Sequence, residues 1–380
     1  MNKYNSKEEI SFAFKKESEL GELLEHKYYI YNGILEALAT ILPEKYSLEI
    51  FEVFDWVFEK VKVLNELSFD ERQSNRDYHL YDNLASWIQG FFLNSLNWRT
   101  INSVDDQKIT SWLTSDKASL GDGEWFMKLV ELTALKNHPF NSDRLHGVLS
   151  RHSMAERDNF WQTHIRWSNG YDDNNNGFPI RRLIDWAWSE KISGLIDEET
   201  ARLCGQTLAW VLSTTNRILR DQTTKALVNL LEDQPNALIE ILKAFETNDD
   251  LYIRERLYAV AYGCTLRIKD NNGIKDIAQY VYESVFKEGN PPVHILLRDY
   301  ARNIIEYSVY KNLNLNFDLN LVRPPYNTCL PKLPTSQDIA EFKKDNDSKD
   351  FDKEYGHVLN HIYFQVIEWD FGTKTIEPRT

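Results

Sequence analysis

His357 and His361 stand four residues apart, so a helix through them would set both imidazoles on one face, the arrangement that holds zinc. No glutamate sits between them in HExxH order and no third ligand is evident. Two helix-surface histidines are the simpler reading, and a metal-dependent hydrolase built on them is the one enzyme these residues suggest. The run Asp172-Asp173-Asn174-Asn175-Asn176-Gly177 opens like a calcium loop, with oxygens at positions 1, 3 and 5 and glycine at 6. Position 12, however, is Leu183 where a bidentate glutamate is needed, so an exposed Asn/Asp turn is expected. A phosphate-cradling GxxxxGK[ST] loop is absent: the glycine-dense stretch Gly121-Asp122-Gly123 has no lysine and follows no strand. No GxSxG elbow occurs. Cys204, Cys264 and Cys329 form no CxxC pair, which excludes a cysteine zinc site or a disulfide framework and fits a reducing compartment. We therefore expect no catalytic residue, no cofactor and no metal.

The elements around these residues read as helices. Between Pro43 and Pro291 the chain holds only Pro139, Pro179 and Pro235, whereas seven of its 11 prolines fall from Pro291 onward. Apolar positions recur at helical spacing in Leu219, Thr223, Leu227, Leu230 and Leu231, and again in Ile253, Leu257, Val260 and Cys264. The longest stripe is Val293, Leu296, Leu297, Tyr300, Ala301, Ile304, Ile305 and Ser308, read as one buried face. No stretch alternates with period two, so the fold class is all-α. Turn signals at Gly121-Asp122-Gly123, Asp233-Gln234-Pro235, Asn248-Asp249-Asp250 and Asn271-Asn272-Gly273 separate helix-sized units. From about residue 198 these units pair: 198–214 with 216–232, 235–246 with 250–268, and 274–288 with 293–310. Such pairing is the signature of a helical-hairpin repeat array, a HEAT- or TPR-like α-solenoid. The second helix of each pair carries an Arg-acid dipeptide near its start, Arg220-Asp221, Arg254-Glu255 and Arg298-Asp299. These charges are expected to pair between neighbouring repeats. The organisation read from the sequence is 1–150, a helical region continuous with the array; 151–310, the repeats; and 311–380, a proline-rich ordered loop, a charged run and a last helix near 355–369.

Composition narrows the function classes. The 380 residues carry 44 Lys plus Arg against 58 Asp plus Glu, a net charge of −14, the wrong sign for gripping phosphate backbones, so no nucleic-acid partner is expected. No apolar run is long enough to span a bilayer and the N-terminus is polar, so the expected location is cytoplasmic with no membrane partner. The 11 tryptophans are an excess that wants a cause. Trp186 and Trp188 flank Ala187 and cannot share a helix face. Wedges between packed helices are the expected role for most of them.

Five blocks, MAERDNFWQTHI from Met154, IRRLIDWAW from Ile180, LAWVLSTTNRILRDQTTKALVNLL from Leu208, DLYIRERLYAVAYG from Asp250 and VHILLRDYARNIIEYS from Val293, resemble the helical-repeat region of bacterial antiphage STAND ATPases of the Avs type. The resemblance implies a sensor that binds a conserved phage structural or packaging protein, such as a terminase or portal, and thereby triggers the full-length protein. In that family the NTPase core lies N-terminal to the repeats and drives oligomerisation. It is missing here, so the chain reads as an excised sensor region. A free-standing α-solenoid scaffold is the alternative. Within the repeats, the polar loop 169–177 with its flanks supplies the expected partner contacts: Trp167, Tyr171, Asp172, Asp173 and Phe178.

Overall fold

A computed structural model describes residues 122–170, 177–189 and 195–328 except Asn314, together with Ser68, Asp70, Glu71, Leu96, Lys332, Thr335 and Gln337. The chain divides into two compact units, Met1–Asn327 and Thr328–Thr380. The expected helix at 355–369, with His357 and His361, lies outside the described residues.

Among the described residues the regular structure is helical, with no sheet. The helices are α1 (Asp122–Leu132), α2 (Ser142–Leu149), α3 (Met154–Ser168), α4 (Pro179–Ala187), α5 (Glu198–Val211), α6 (Arg217–Leu231), α7 (Pro235–Ala244), α8 (Leu251–Arg267), α9 (Asn271–Val281), α10 (Ile295–Tyr310) and the short α11 (Leu319–Val322). All of them belong to the first unit. Most starts follow from capping chemistry, a side-chain oxygen accepting a first-turn amide. Asn141, Asp197, Asn216, Asp250 and Asp270 cap α2, α5, α6, α8 and α9, and Ser153 forms a capping box with Glu156 on α3. Helices α4 and α7 begin instead on Pro179 and Pro235, whose missing N–H costs nothing in the first turn. Asn312 ends α10 in the left-handed region at φ 55°, letting the Leu313 amide reach back to the Ser308 carbonyl at 3.1 Å.

Two of the punctuation signals lie inside helices. Asp270 caps the Asn272 and Gly273 amides, so Asn271-Asn272-Gly273 is the first turn of α9 rather than a linker, and Asp122-Gly123 likewise opens α1. Helix α9 runs on through a π-helical turn, Tyr282–Phe286, closed by the Lys287 amide on the Tyr282 carbonyl at 2.9 Å. The extra residue in this turn lets Val285 and Phe286 both enter the core. The 311–335 segment, read as a loop, contains α11, capped by Asp318.

Packing runs between next-nearest as well as adjacent helices. Helix α5 contacts α2, α6 and α7; α7 contacts α9; α4 contacts α6, α6 contacts α8, and α8 contacts α10. The face of each helix that enters these contacts is its apolar stripe. All five stripe positions of α6 and all four of α8 are buried. In α10 the stripe splits: Leu297, Ala301, Ile304, Ile305 and Ser308 are buried, but its first two members, Val293 and Leu296, are exposed. They sit where the helix starts.

Trp161 and Trp210 are fully buried and joined, the Trp161 indole N–H donating to the Trp210 carbonyl at 2.9 Å. Trp210 packs on Phe245 with ring centroids 4.9 Å apart. Trp188 departs from the core expectation: it is 41% exposed, with the Lys225 ammonium 5.3 Å from its ring, because it follows the last residue of α4 and points away from the face that buries Ala187.

Candidate functional site

The Arg-acid dipeptides occupy the fourth and fifth residues of α6, α8 and α10, counted from caps Asn216, Asp250 and His294. Helix α3 repeats the arrangement with Ser153, Arg157 and Asp158. The pattern is thus cap-x-x-x-Arg-acid in four copies. The α3 copy stays hidden when the dipeptide is sought only within helix pairs from residue 198 on; counting from the cap reveals it.

The physical reason for the spacing is visible in the contacts. Cap and arginine are four apart and share a helix face, so the guanidinium folds back beneath the turn that precedes its own helix. Arg157 donates from Nη1 to the His152 carbonyl at 2.6 Å, and Arg220 to the Thr214 carbonyl at 2.7 Å. Aromatic rings cover three of the four cations: Trp210 faces Arg157 at 5.4 Å, Tyr252 faces Arg220 at 5.1 Å and Tyr326 faces Arg298 at 4.9 Å.

Acids link one first turn to the next. Asp249, just before α8, accepts from the Met154 amide at 2.9 Å and pairs with the buried Arg157 guanidinium. Asp221 of α6 meets Arg256 of α8 at 3.6 Å, and Arg256 also donates to the Tyr252 hydroxyl at 2.8 Å. Glu255, buried in α8, faces His294 Nε2 at 3.4 Å. The Leu297 amide donates to His294 Nδ1, which leaves the ring hydrogen on Nε2 and aims it at that carboxylate. Charges therefore do connect neighbouring helices, through the dipeptide acids Asp221 and Glu255 and through Arg157, which reaches Asp249 as well as its own preceding turn; Arg220 folds back onto its own preceding turn.

The adjacent carboxyls Asp249 and Asp250 differ electrostatically. Partial burial opposes the charge on Asp249, yet the Arg157 hydrogen bond holds its carboxyl below the usual range. Burial pushes the Asp250 carboxyl up, against the Tyr252 and Ile253 amides that stabilise its charge. A depression of about 250 Å³ opens between Ser150–Ser153 and Thr247–Asp249, beside the Arg157–Asp249 pair.

Along this ledge of first turns the apolar residues point outward. Ile218 is 70% exposed and Ile295 71%, and Met154, Leu251, Val293 and Leu296 are exposed as well. Each is the first or second residue of one of the four helices, or lies two residues ahead of the first. Six large apolar side chains held in water by rigid first turns, among charged groups, have the makeup of a contact surface.

Of the residues expected to meet a partner, Tyr171, Asp172 and Asp173 lie outside the described residues, as does the calcium-like run apart from Gly177. Trp167 is in the last turn of α3. Phe178 stands at the start of α4, donating from its amide to the Gly170 carbonyl at 3.0 Å and packing its ring on Gly170. The two ends of that loop are therefore pinned together. Among the described residues no three His, Cys, Asp or Glu side chains gather as a metal site. Burial pushes the Cys204 thiol up to about 12 and raises that of Cys264 further, so neither supplies a thiolate. No described helix is long and apolar enough to cross a membrane. Comparison with family models, with curated proteins and with solved structures returns no match for the chain.

Proposed function

We propose that the chain is a non-catalytic protein-recognition module built as an array of helical hairpins, α5 with α6, α7 with α8 and α9 with α10. The observation that carries this reading is the ledge: four first turns linked by the buried Arg157 to Asp249, by Arg256 to Asp221 and by His294 to Glu255, with Met154, Ile218, Leu251, Ile295 and Leu296 exposed on it. An array of hairpins offers an extended surface of this kind to a large folded partner. The resemblance of the five sequence blocks gives the partner its class. The chain is the sensor region of an antiphage STAND ATPase, and its ligand is a phage structural or packaging protein. A net charge of −14 favours a partner with basic patches. In this reading the sensor acts in the cytoplasm, needs no cofactor, and leaves ATP hydrolysis and oligomerisation to the STAND domain.

The test is co-purification of the 380-residue chain with a panel of phage terminase large subunits and portal proteins, followed by size-exclusion chromatography. One member is expected to form a stable complex that the double substitution Ile218→Asp and Ile295→Asp abolishes. Both side chains are at least 70% exposed, so the variant should keep its denaturation midpoint. A complex that tolerates the double substitution, or no complex across the panel, would sink the reading.

A further inference from the structure

His146 is a titratable group that ties three helices to the turn beneath Arg157. Its ring, in the last turn of α2, packs edge-on against Phe245 at the end of α7, with centroids 4.7 Å apart. Nδ1 accepts the indole N–H of Trp210 in α5 at 3.2 Å, and Nε2 lies 3.3 Å from Ser150 Oγ. An indole only donates, so Nδ1 carries a lone pair and the neutral ring holds its hydrogen on Nε2. Trp210 is fully buried, and His146 is the one acceptor its indole has among the described residues. Two routes lead from this ring to the ledge. The Trp210 ring also covers the Arg157 guanidinium at 5.4 Å. Ser150 opens the turn Ser150–Ser153, whose His152 carbonyl accepts from Arg157 at 2.6 Å and whose residues, with Asp249, line the depression of about 250 Å³.

We infer that His146 is a proton-operated pin: a second proton on its ring withdraws the acceptor that holds Trp210 and so loosens the Arg157 end of the ledge while the helices stay folded. With hydrogen on both ring nitrogens, Nδ1–H and the indole N–H point at each other, and two donors repel where a bond stood. The imidazolium, 5.6 Å from the Trp210 ring, is also a second cation against the ring that covers Arg157. The packing of α5 on α2, α6 and α7 is largely apolar and does not titrate, so the helices keep their places. Burial opposes the charge on His146 and holds its pKa below 6.5, against the Ala244 carbonyl of α7 and the Asp143 carboxylate one turn back along α2, which favour it. Asp143 is itself held by both terminal nitrogens of Arg202 of α5, at 2.7 and 2.9 Å. From α3 the facing charge is Arg157, and α5 and α7 present the Trp210 and Phe245 rings. A lowered pKa places the pin fully above 6.5 and withdraws it as pH falls through the lowered value. The device is independent of what the ledge binds.

The test is a titration of the full chain from pH 7.5 to 5.0 with ¹⁵N-labelled tryptophan and arginine, with far-UV circular dichroism followed in parallel. The indole N–H resonance missing from Trp210→Phe and the Nε–Hε resonance missing from Arg157→Met are expected to move together, with one midpoint below 6.5, while the helical signal stays level. In His146→Asn, whose Oδ1 stands where Nδ1 did and does not titrate, neither resonance should move. Trp210→Phe removes the donor that favours the neutral ring, so the His146 midpoint, read from its Hε1 resonance, should rise by up to about one pH unit. The inference is overturned if either resonance stays still across this range, if both move as much in His146→Asn, or if Trp210→Phe leaves the midpoint unchanged. It is overturned equally if the helical signal falls in step with the resonances, since His146 would then only stabilise the fold.

Discussion

Removing Asp249 should cost more than removing Arg157, although the two form one pair. The Arg157 side chain is 4% exposed and the Asp249 side chain 50%. Take away the arginine, as Arg157→Met, and the carboxylate turns to water. The methionine keeps the aliphatic packing against Trp210, and the lost bonds to Asp249 and the His152 carbonyl amount to about 1–2 kcal/mol. Take away the carboxylate, as Asp249→Ala, and a buried cation keeps only one carbonyl and a ring, while the Met154 amide loses its acceptor. Breaking a buried pair from this side costs about 3–5 kcal/mol when both ions are dry. Because water reaches Asp249, about 2–3 kcal/mol is the appropriate figure here. The double variant should resemble Arg157→Met alone, since the penalty of the stranded cation disappears with it. Urea denaturation followed by far-UV circular dichroism, run as a double-mutant cycle, measures all three. If Asp249→Ala proves no worse than Arg157→Met, or if the two effects add, the buried-cation account of the ledge is wrong.

Three further outcomes follow from the same structure. Asp250→Asn keeps an equally good cap and sheds a buried charge, so it should match or exceed the parent's stability at pH 7, whereas Asp250→Ala should lose about 1 kcal/mol. Because the folded carboxyl is raised above 3.8, the stability it contributes is complete only below that value and is lost as pH rises, so the advantage of asparagine must shrink on acidification. An advantage that grows toward pH 4 would contradict this. His146 accepts from the Trp210 indole at 3.2 Å and burial lowers its pKa from 6.5, so its contribution is present above 6.5 and lost as pH falls through the lowered value. Between pH 7 and 5 the parent should lose stability more steeply than His146→Asn, by at most about 1.4 kcal/mol per pH unit, and equal slopes in urea titrations would refute it. A Cβ on Gly263 would stand 2.8 Å from Val228 Cγ2, and one on Gly205 2.6 Å from Ile241 Cδ1. The isoleucine end can rotate and the β-branched valine cannot, so Gly263→Ala should cost about 1–3 kcal/mol, less the roughly 1 kcal/mol gained in helix propensity, and Gly205→Ala less; the reverse order of denaturation midpoints would contradict it.

The helices were legible because one signal, apolar spacing, coincides with the energy that forms them. Ile253, Leu257, Val260 and Cys264 read as a stripe and are buried as one. The same signal failed at Val293 and Leu296, since periodicity reports which face a residue is on and not whether a neighbour extends far enough to cover it. Asn271-Asn272-Gly273 reads as a linker by composition, but Asp270 ahead of it supplies the acceptors that make it a helical turn. Nothing in Tyr282–Phe286 announces a π-helical turn, because its cause is the packing of Val285 and Phe286 together. The ledge was half visible. Its arginines stood out by repetition, while their partners are backbone carbonyls and rings from other turns, which no local pattern names. Of the polar loop picked for partner contact, the structure describes the pinned ends and not the residues between them.

Burial and exposure are assigned to different positions of the same first turns. The fourth residue points inward: Arg157 is 3% exposed, and Arg220 reaches the Thr214 carbonyl beneath its own turn. The first and second residues point outward, with Ile218 70% and Ile295 71% exposed. A cap fixes where the helix begins, so it fixes both directions at once: the arginine one turn later must fold under, and the apolar residue immediately after must stand out. Changing the exposed residue alters what the ledge can bind at little cost to the fold, while changing the arginine disturbs the fold before it touches the surface. On the proposed recognition role, the exposed residues could vary independently of the scaffold beneath them, because in each of the four capped turns the inward arginine and the outward apolar residue are separate positions.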